Sequence, residues 1–513
     1  MRGIGKRLLA ISLAAFLLAG SLPVRAAAPA LSPEEASGYL FALRDGAPMR
    51  RARSATTAVA EGVEPVSAAH GLYRADTLAE VYAFMPEEYL EYVTPDYAME
   101  SHAAPNDPGY TGGSAWLLDM LSMDYAWDSG VTGAGVRVGI VDSGVNRNHE
   151  DFVGASIDRG AYFPQGSTTG WTPGAEDPTD PNDSTKPANA HGTFVAGLIT
   201  AAANNGKGTA GVAPGVELIP LVAFAGEITY LSAVVKAIYA SVDEPEYRCD
   251  VLNMSLGIYK DKPLSNGELP NITALDRAIA YADDNGVVLV ASTGNNYGTM
   301  LSYPAAYDCV IGVGAVRKDG TRASFSQYNA SVDVVAPGES VYSLSYSSNT
   351  EYSTGSGTSY AAPQVAAAAA LALEIDPALT SGRLAELMKT TAKDKGRAGR
   401  DDEYGYGLLD VSAFLRAVAN QVELQAAPGG VEVTARYRLL PSEKRITLWA
   451  AAYDETGRMV DAAAYTGAVD NSGAVDTDAL YLDTTAGADL VRVFLWDAAT
   501  GAPLGEAVER SLK

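Results

Sequence analysis

The sequence predicts an α/β protein: a three-layer, doubly wound, mostly parallel sheet, with a small α+β region before it and an antiparallel β-sandwich after it. Three observations carry this. Short continuous apolar runs at 137–141, 249–255, 286–291 and 310–316 alternate with helix-length amphipathic or alanine-rich stretches such as 231–242 and 272–285. Strands that are apolar without alternation are buried on both faces, which requires helices on both sides of a parallel sheet. Beyond about residue 421 the pattern becomes period-two, at 431–437, 445–452, 459–465 and 490–496, with turn signals at Asp454-Glu455-Thr456-Gly457 and Ala498-Ala499-Thr500-Gly501. That change marks an antiparallel sandwich.

The elements follow in order. Arg2, Lys6 and Arg7 precede the apolar run 8–22, and Ala26, Ala27 and Ala28 follow it, so residues 1–28 read as a secretory signal peptide. The expected product is secreted, extracellular or associated with the cell surface, with no membrane span once the signal is removed. Residues 29–105 form the α+β region. In it, 38–43 is a candidate strand, 50–67 is loop-like, 77–92 has helical spacing of Leu78, Val81, Phe84 and Leu90, and 91–97 is extended. Residues 106–420 carry the βα pattern, and 421–513 the sandwich, which contains no histidine or cysteine.

Composition narrows the function classes. The chain has 513 residues, 47% of them apolar, with a net charge of −25. Nucleic acid and anionic lipid surfaces would repel such a protein, so neither is an expected partner. The two cysteines, Cys249 and Cys309, each precede a predicted parallel strand with another strand between them. Strand spacing alone then sets them about 9–10 Å apart, so two free, buried thiols are expected.

In open parallel sheets the working groups gather at the carboxyl ends of the strands. Asp142 ends the first run and is followed by Ser143-Gly144; there its carboxylate can hold an imidazole Nδ1–H. Four histidines exist, and only His149 and His191 lie in the α/β region as candidate bases. Asn295 ends the run at Thr293-Gly294-Asn295, where its amide can face the same cleft. Ser359 precedes the alanine-rich stretch 364–373, whose helix propensity, with Pro363, places the helix start within a few residues of it. Unpaired N–H groups at such a terminus favour an oxyanion beside a nucleophile. The competing reading makes Thr358 or Ser359 a helix N-cap.

Together these residues resemble the subtilisin family of serine peptidases. The likeness rests on Val141-Asp142-Ser143-Gly144-Val145, His191-Gly192-Thr193, Asn253-Met254-Ser255-Leu256-Gly257, Thr293-Gly294-Asn295 and Gly357-Thr358-Ser359-Tyr360-Ala361-Ala362-Pro363, in the order Asp, His, Ser. It covers about residues 106–420. The resemblance implies a subtilisin-like fold and a secreted serine endopeptidase acting through an acyl-enzyme, with Asp142, His191 and Ser359 as triad and Asn295 as oxyanion donor.

It also implies that Ser255, Leu256 and Gly257 bind substrate backbone and, with Gly294, line the primary specificity pocket. No acidic group marks that pocket, so an apolar or broad preference is expected over Lys or Arg. Residues 29–105 would be an inhibitory propeptide removed by self-cleavage between 97 and 106. The chemistry requires no cofactor. The family often binds calcium, with Asp151 and Asn204, beside Asn205, as the candidate ligands. Polypeptides are the expected substrates and a monomer the expected state. The chain departs from the family at Tyr360, Ala362 and Gln364 and in an insertion at 259–271. The alternative function is a catalytically silent adhesion protein that binds through its sandwich; an esterase or peptidyl transferase would use the same acyl-enzyme.

Overall fold

The computed structural model describes residues 36–43, 63–67, 72–75, 77–86 and 89–97, and then 104–512 except 164–190, 226–227, 264–265, 439–444, 470–473, 486 and 499–507. The signal-peptide segment 1–28, His70, His102 and the segment 98–103 lie outside the described residues. The chain divides into two compact units, 1–101 and 102–513.

Among the described residues the first unit is an antiparallel sheet of β1 (Ala36–Leu43), β2 (Val63–Ser67), β3 (Leu72–Ala75) and β4 (Leu90–Tyr97) in the order β2-β3-β1-β4, with the helix Leu78–Phe84. Thr77 and Glu80 form a capping box at the helix start. The helix is shorter than its apolar spacing predicts, because Met85 turns extended just ahead of Pro86. Residues 63–67, read from composition as loop, pair with β3. A hydrophobic cluster of Phe41, Leu43, Tyr73, Val81, Met85 and Leu90 fills one side of the sheet.

The second unit is centred on a parallel sheet. Its strands are β5 (Arg137–Asp142), β6 (Ser156–Ile157), β7 (Ala161–Tyr162) and β8 (Glu217–Val222), then, after a hairpin of β9 (Phe224–Ala225) and β10 (Ile228–Thr229), β11 (Val251–Met254), β12 (Val288–Ser292), β13 (Val310–Val316) and β14 (Val334–Pro337). Their order is β14-β13-β12-β11-β5-β8-β6, with β7 also on β8. The chain builds outward from β5 in both directions, so the switch point of the topology lies beside β5.

Burial on both faces explains the unbroken apolar runs. Val138, Ile140, Val251, Val288 and Val290 belong to one core with the helices His191–Thr200 and Thr358–Ile375. Their neighbours Val141, Leu252, Leu289 and Ala291 belong to the other, with the helices Leu231–Asp243 and Thr273–Asp284. The alanines of Thr358–Ile375 are buried all round, and a helix without a polar face belongs inside a domain. Cys249 and Cys309 are both free; Cys249 is buried and Cys309 half-buried.

A hairpin of β15 (Val341–Leu344) and β16 (Tyr352–Gly355) leads into the helix Thr358–Ile375. After the helix Val411–Ala419 the chain passes without a linker into the sandwich. One sheet holds β17 (Asn420–Ala427), β18 (Gly430–Tyr437), β21 (Val475–Asp476) and β22 (Leu480–Asp483). The other holds β19 (Arg445–Asp454), β20 (Met459–Ala468), β23 (Ala488–Asp497) and β24 (Val508–Ser511). Val431, Val433, Ile446, Leu448, Val491 and Val493 share one core between them.

Candidate active site

Asp142 is the last residue of β5, Ser255 directly follows β11, and Asn295 lies in the loop after β12. These three strands are adjacent, so their carboxyl ends bring the residues to one edge of the sheet. His191 and Ser359 arrive from a single face: His191 opens one helix, Ser359 is the second residue of another, and the two helices pack together.

The His191 imidazole donates from Nδ1 to the Asp142 carboxylate, at 2.9 Å to Oδ1 and 3.0 Å to Oδ2. Asp142 is buried, and its Oδ1 also accepts the Ser143 N–H at 2.7 Å. Burial by itself lowers the pKa of His191, but the charge of Asp142 and its hydrogen bond outweigh that and hold the pKa above the ordinary 6.5. Gly192 permits this approach: a Cβ there would lie 2.3 Å from the Gly144 carbonyl oxygen. The ring of Tyr360 lies 5.4 Å from that of His191 and 4.3 Å from Phe194, so the imidazole is packed as well as bonded.

Ser359 is held by a reciprocal pair of bonds. Its hydroxyl donates to the Ser255 carbonyl at 3.2 Å, and the Ser255 hydroxyl donates to the Ser359 carbonyl at 2.8 Å. The second bond has a cause in the sequence. A helical carbonyl is normally paired by the N–H four residues on, and four residues after Ser359 stands Pro363, which has none. Ser255 supplies the missing donor and is itself fixed by the Asn253 amide at 3.0 Å. Pro363 therefore lies in the second turn of the helix, one turn later than its tolerance predicts.

The N-cap is Gly357, in extended conformation, and neither Thr358 nor Ser359 caps the helix through its side chain. Thr358 instead ties the helix to the Asn295 loop. Asn295 Oδ1 accepts the Thr358 N–H at 2.8 Å and its hydroxyl at 3.0 Å, while Gly294 N–H donates to Thr358 Oγ1 at 3.1 Å. With Oδ1 committed to two donors, Asn295 Nδ2 lies beside Gly357, 3.4 Å from where a Cβ on that residue would stand. Ser359, at the second helical position, carries one of the N–H groups left unpaired at a helix start. Ser255, Leu256 and Gly257 continue from β11 towards the surface, where Ile258 pairs with Tyr303. Gly257 is exposed at this edge, with the Ser302 hydroxyl packed closely against it.

His149, the other candidate base, has a different environment. It is fully buried, its Nε2 donates to the Glu351 carbonyl at 2.9 Å, and its Nδ1 accepts the Asp151 N–H at 3.2 Å. Both nitrogens are occupied, and burial lowers its pKa. The Asp151 carboxylate accepts Asn205 Nδ2 at 2.9 Å on one oxygen and the Thr209 N–H at 2.9 Å on the other. Asn204 does not turn to Asp151: its side-chain oxygen accepts the Asn106 N–H at 3.1 Å. Calcium needs six to eight converging oxygens, and these residues present N–H donors to the carboxylate, so their arrangement does not fit the cation.

Residues 133–407 match the model of a family described as "Subtilase family". The chain is 38% identical over 302 residues to Subtilisin DY of Bacillus licheniformis, covering 58% of this chain and 96% of the relative. It is 35% identical over 303 residues to the Minor extracellular protease Epr of Bacillus subtilis (strain 168), covering 58% of this chain but only 41% of that longer protein. Among solved structures, a protease from Pseudoalteromonas arctica PAMC 21717 superposes with a TM-score of 0.50 at 29% identity, covering 61% of this chain and 99% of the other.

Proposed function

Because the chain belongs to the subtilase family and is a serine endopeptidase, we propose that Ser359 is its nucleophile, His191 its base and then acid, Asp142 the group that orients His191, and Asn295 an oxyanion donor. The observation that carries this reading is the bond from His191 Nδ1 to both oxygens of a buried Asp142. It sets the tautomer in which Nε2 is free of the ring proton and can take the proton of the Ser359 hydroxyl as Oγ adds to the scissile carbonyl. The tetrahedral oxyanion then meets Asn295 Nδ2 and the Ser359 N–H, and His191 returns its proton to the departing amine. Water repeats the sequence on the acyl-enzyme. The reaction requires no cofactor.

The enzyme acts on polypeptides, whose backbone Ser255, Leu256 and Gly257 would bind as an added strand. We read it as a secreted, monomeric zymogen: the basic-then-apolar start favours export, and the separate unit ahead of residue 102 suits an inhibitory propeptide. Among the described residues no helix is long and apolar enough to cross a membrane. The test is labelling of the mature protein by a fluorophosphonate, expected on Ser359 and abolished in Ser359→Ala. An unlabelled mature protein would leave the silent adhesion reading. Mass spectrometry of both secreted forms tests processing; the same new N-terminus near residue 100 in Ser359→Ala would rule out self-cleavage.

A further inference from the structure

The family resemblance implies that Ser255, Leu256 and Gly257 on one wall and Gly294 on the other line the pocket for the side chain preceding the scissile bond, and the inference rests on that and on the proposed function. Just past the first wall the insertion begins with Tyr259, a half-buried residue. A Cβ on Gly257 would face Ser302, whereas the Tyr259 side chain reaches Gln327 and Gly294. Its hydroxyl donates to Gln327 Oε1 at 2.7 Å, and both groups lie against Gly294, where a Cβ would come within 2.6 Å of each. The Asn295 backbone amide also faces this hydroxyl. The Gln327 amide is anchored in turn on the Met300 carbonyl. Tyr259 thus leaves one wall and is hydrogen-bonded at the other, and its ring must span the gap between them.

We propose that Tyr259, locked by Gln327, is an end-stop of the primary specificity pocket and limits it to small, uncharged side chains. The ring occupies depth that a large side chain would need. Its hydroxyl is already paired with Gln327, so displacing the ring would break a partly buried hydrogen bond and leave Gln327 Oε1 without its donor. A Lys or Arg side chain would in addition find no carboxylate on Ser255, Leu256, Gly257, Tyr259, Gly294 or Gln327. A phenylalanine at this position in the substrate is therefore penalised against alanine, by the tenfold or more that a few methylene-sized groups decide in an apolar pocket.

The experiment uses the mature enzyme and a series of peptides that differ only at the residue before the scissile bond, with alanine, leucine, phenylalanine and lysine. Active-site concentration is set in every variant by fluorophosphonate titration. Wild type is expected to cleave the alanine peptide with kcat/KM about tenfold or more above the phenylalanine peptide. Tyr259→Ala is expected to raise the phenylalanine-to-alanine ratio about tenfold or more. Tyr259→Phe, which keeps the ring and loses only the hydroxyl, is expected to move the ratio far less. A wild type that prefers phenylalanine would overturn the proposal, whether or not Tyr259→Ala folds. So would a Tyr259→Ala ratio within twofold of wild type in titrated enzyme. Failure of wild type to label with fluorophosphonate would instead remove the serine-hydrolase reading, and the end-stop with it.

Discussion

Among the described residues two histidine–aspartate neighbourhoods lie on the same domain, around His191 and around His149, and their chemistry differs because of what else is bonded there. At His191 the carboxylate of Asp142 accepts the ring proton, and helix packing presents the ring beside Tyr360. At His149 both ring nitrogens are spent on the backbone, and Asp151 is spent on N–H donors from Asn205 and Thr209. Residue type made both candidates. Only the first arrangement pairs the ring with a carboxylate, as the proposed base requires, while the second is a tie that closes a loop.

The sharpest way to break this comparison is to remove each histidine. His191→Ala or Ser359→Ala should lower kcat by about 10⁶-fold, a magnitude taken from a subtilisin rather than derived from this chain. His149→Ala should leave kcat within about tenfold but cost about 2–4 kcal/mol of stability, because it empties a buried site and strands two backbone partners. Peptide hydrolysis and denaturant titration read the two effects; a dead but stable His149→Ala would reverse the assignment.

Next in size is the amide of Asn295, the proposed oxyanion donor. Asn295→Leu should reduce kcat by about 10²- to 10³-fold with little change in KM, again a value established on a subtilisin. Smaller still is the effect of Ser255→Ala, which leaves the Ser359 carbonyl without a donor opposite Pro363. A fall in kcat of about tenfold, equivalent to about 1.4 kcal/mol of barrier, is expected. An unchanged kcat would show that the nucleophile does not depend on that bond.

The smallest effect is the separation of the two histidines by pH. The pKa of His191 is raised, so the acid limb of kcat/KM should lie above pH 6.5, and Asp142→Asn should lower its midpoint along with the rate. That pairing contributes stability fully present below about pH 6.5 and lost as pH rises through the folded pKa. His149 has the opposite sign. Its folded pKa lies below 6.5, so the unfolded chain takes up the proton first and stability falls as pH drops below about 6.5. His149→Gln should flatten that acid loss without moving the activity limb.

Much of the fold was legible from local patterns. The runs at 137–141 and 310–316 became β5 and β13, and the helical stretches at 231–242 and 272–285 formed with ends shifted by a residue or so. β8 was not legible, because Pro220 sits in its middle and proline argues against an interior strand. It survives because β6 pairs with Glu217 and Leu218, and β7 with Leu221 and Val222, leaving a break in pairing at Pro220. Residues 63–67 were hidden similarly, since their pairing with β3 comes from register rather than composition.

Local sequence was enough to name the groups able to do chemistry: an acid at a strand end, a histidine opening a helix, an amide after a strand and a serine ahead of an alanine-rich helix. These are local properties, written within a few residues of each group. Long-range packing settles which histidine is bonded to an acid, that Asn204 turns to Asn106 while Asn205 takes Asp151, that Ser255 replaces the donor Pro363 lacks, and that Tyr259 crosses to Gln327. Each of these depends on partners far apart in the chain, and hydrogen bonds formed across such separations follow from packing that no local pattern records.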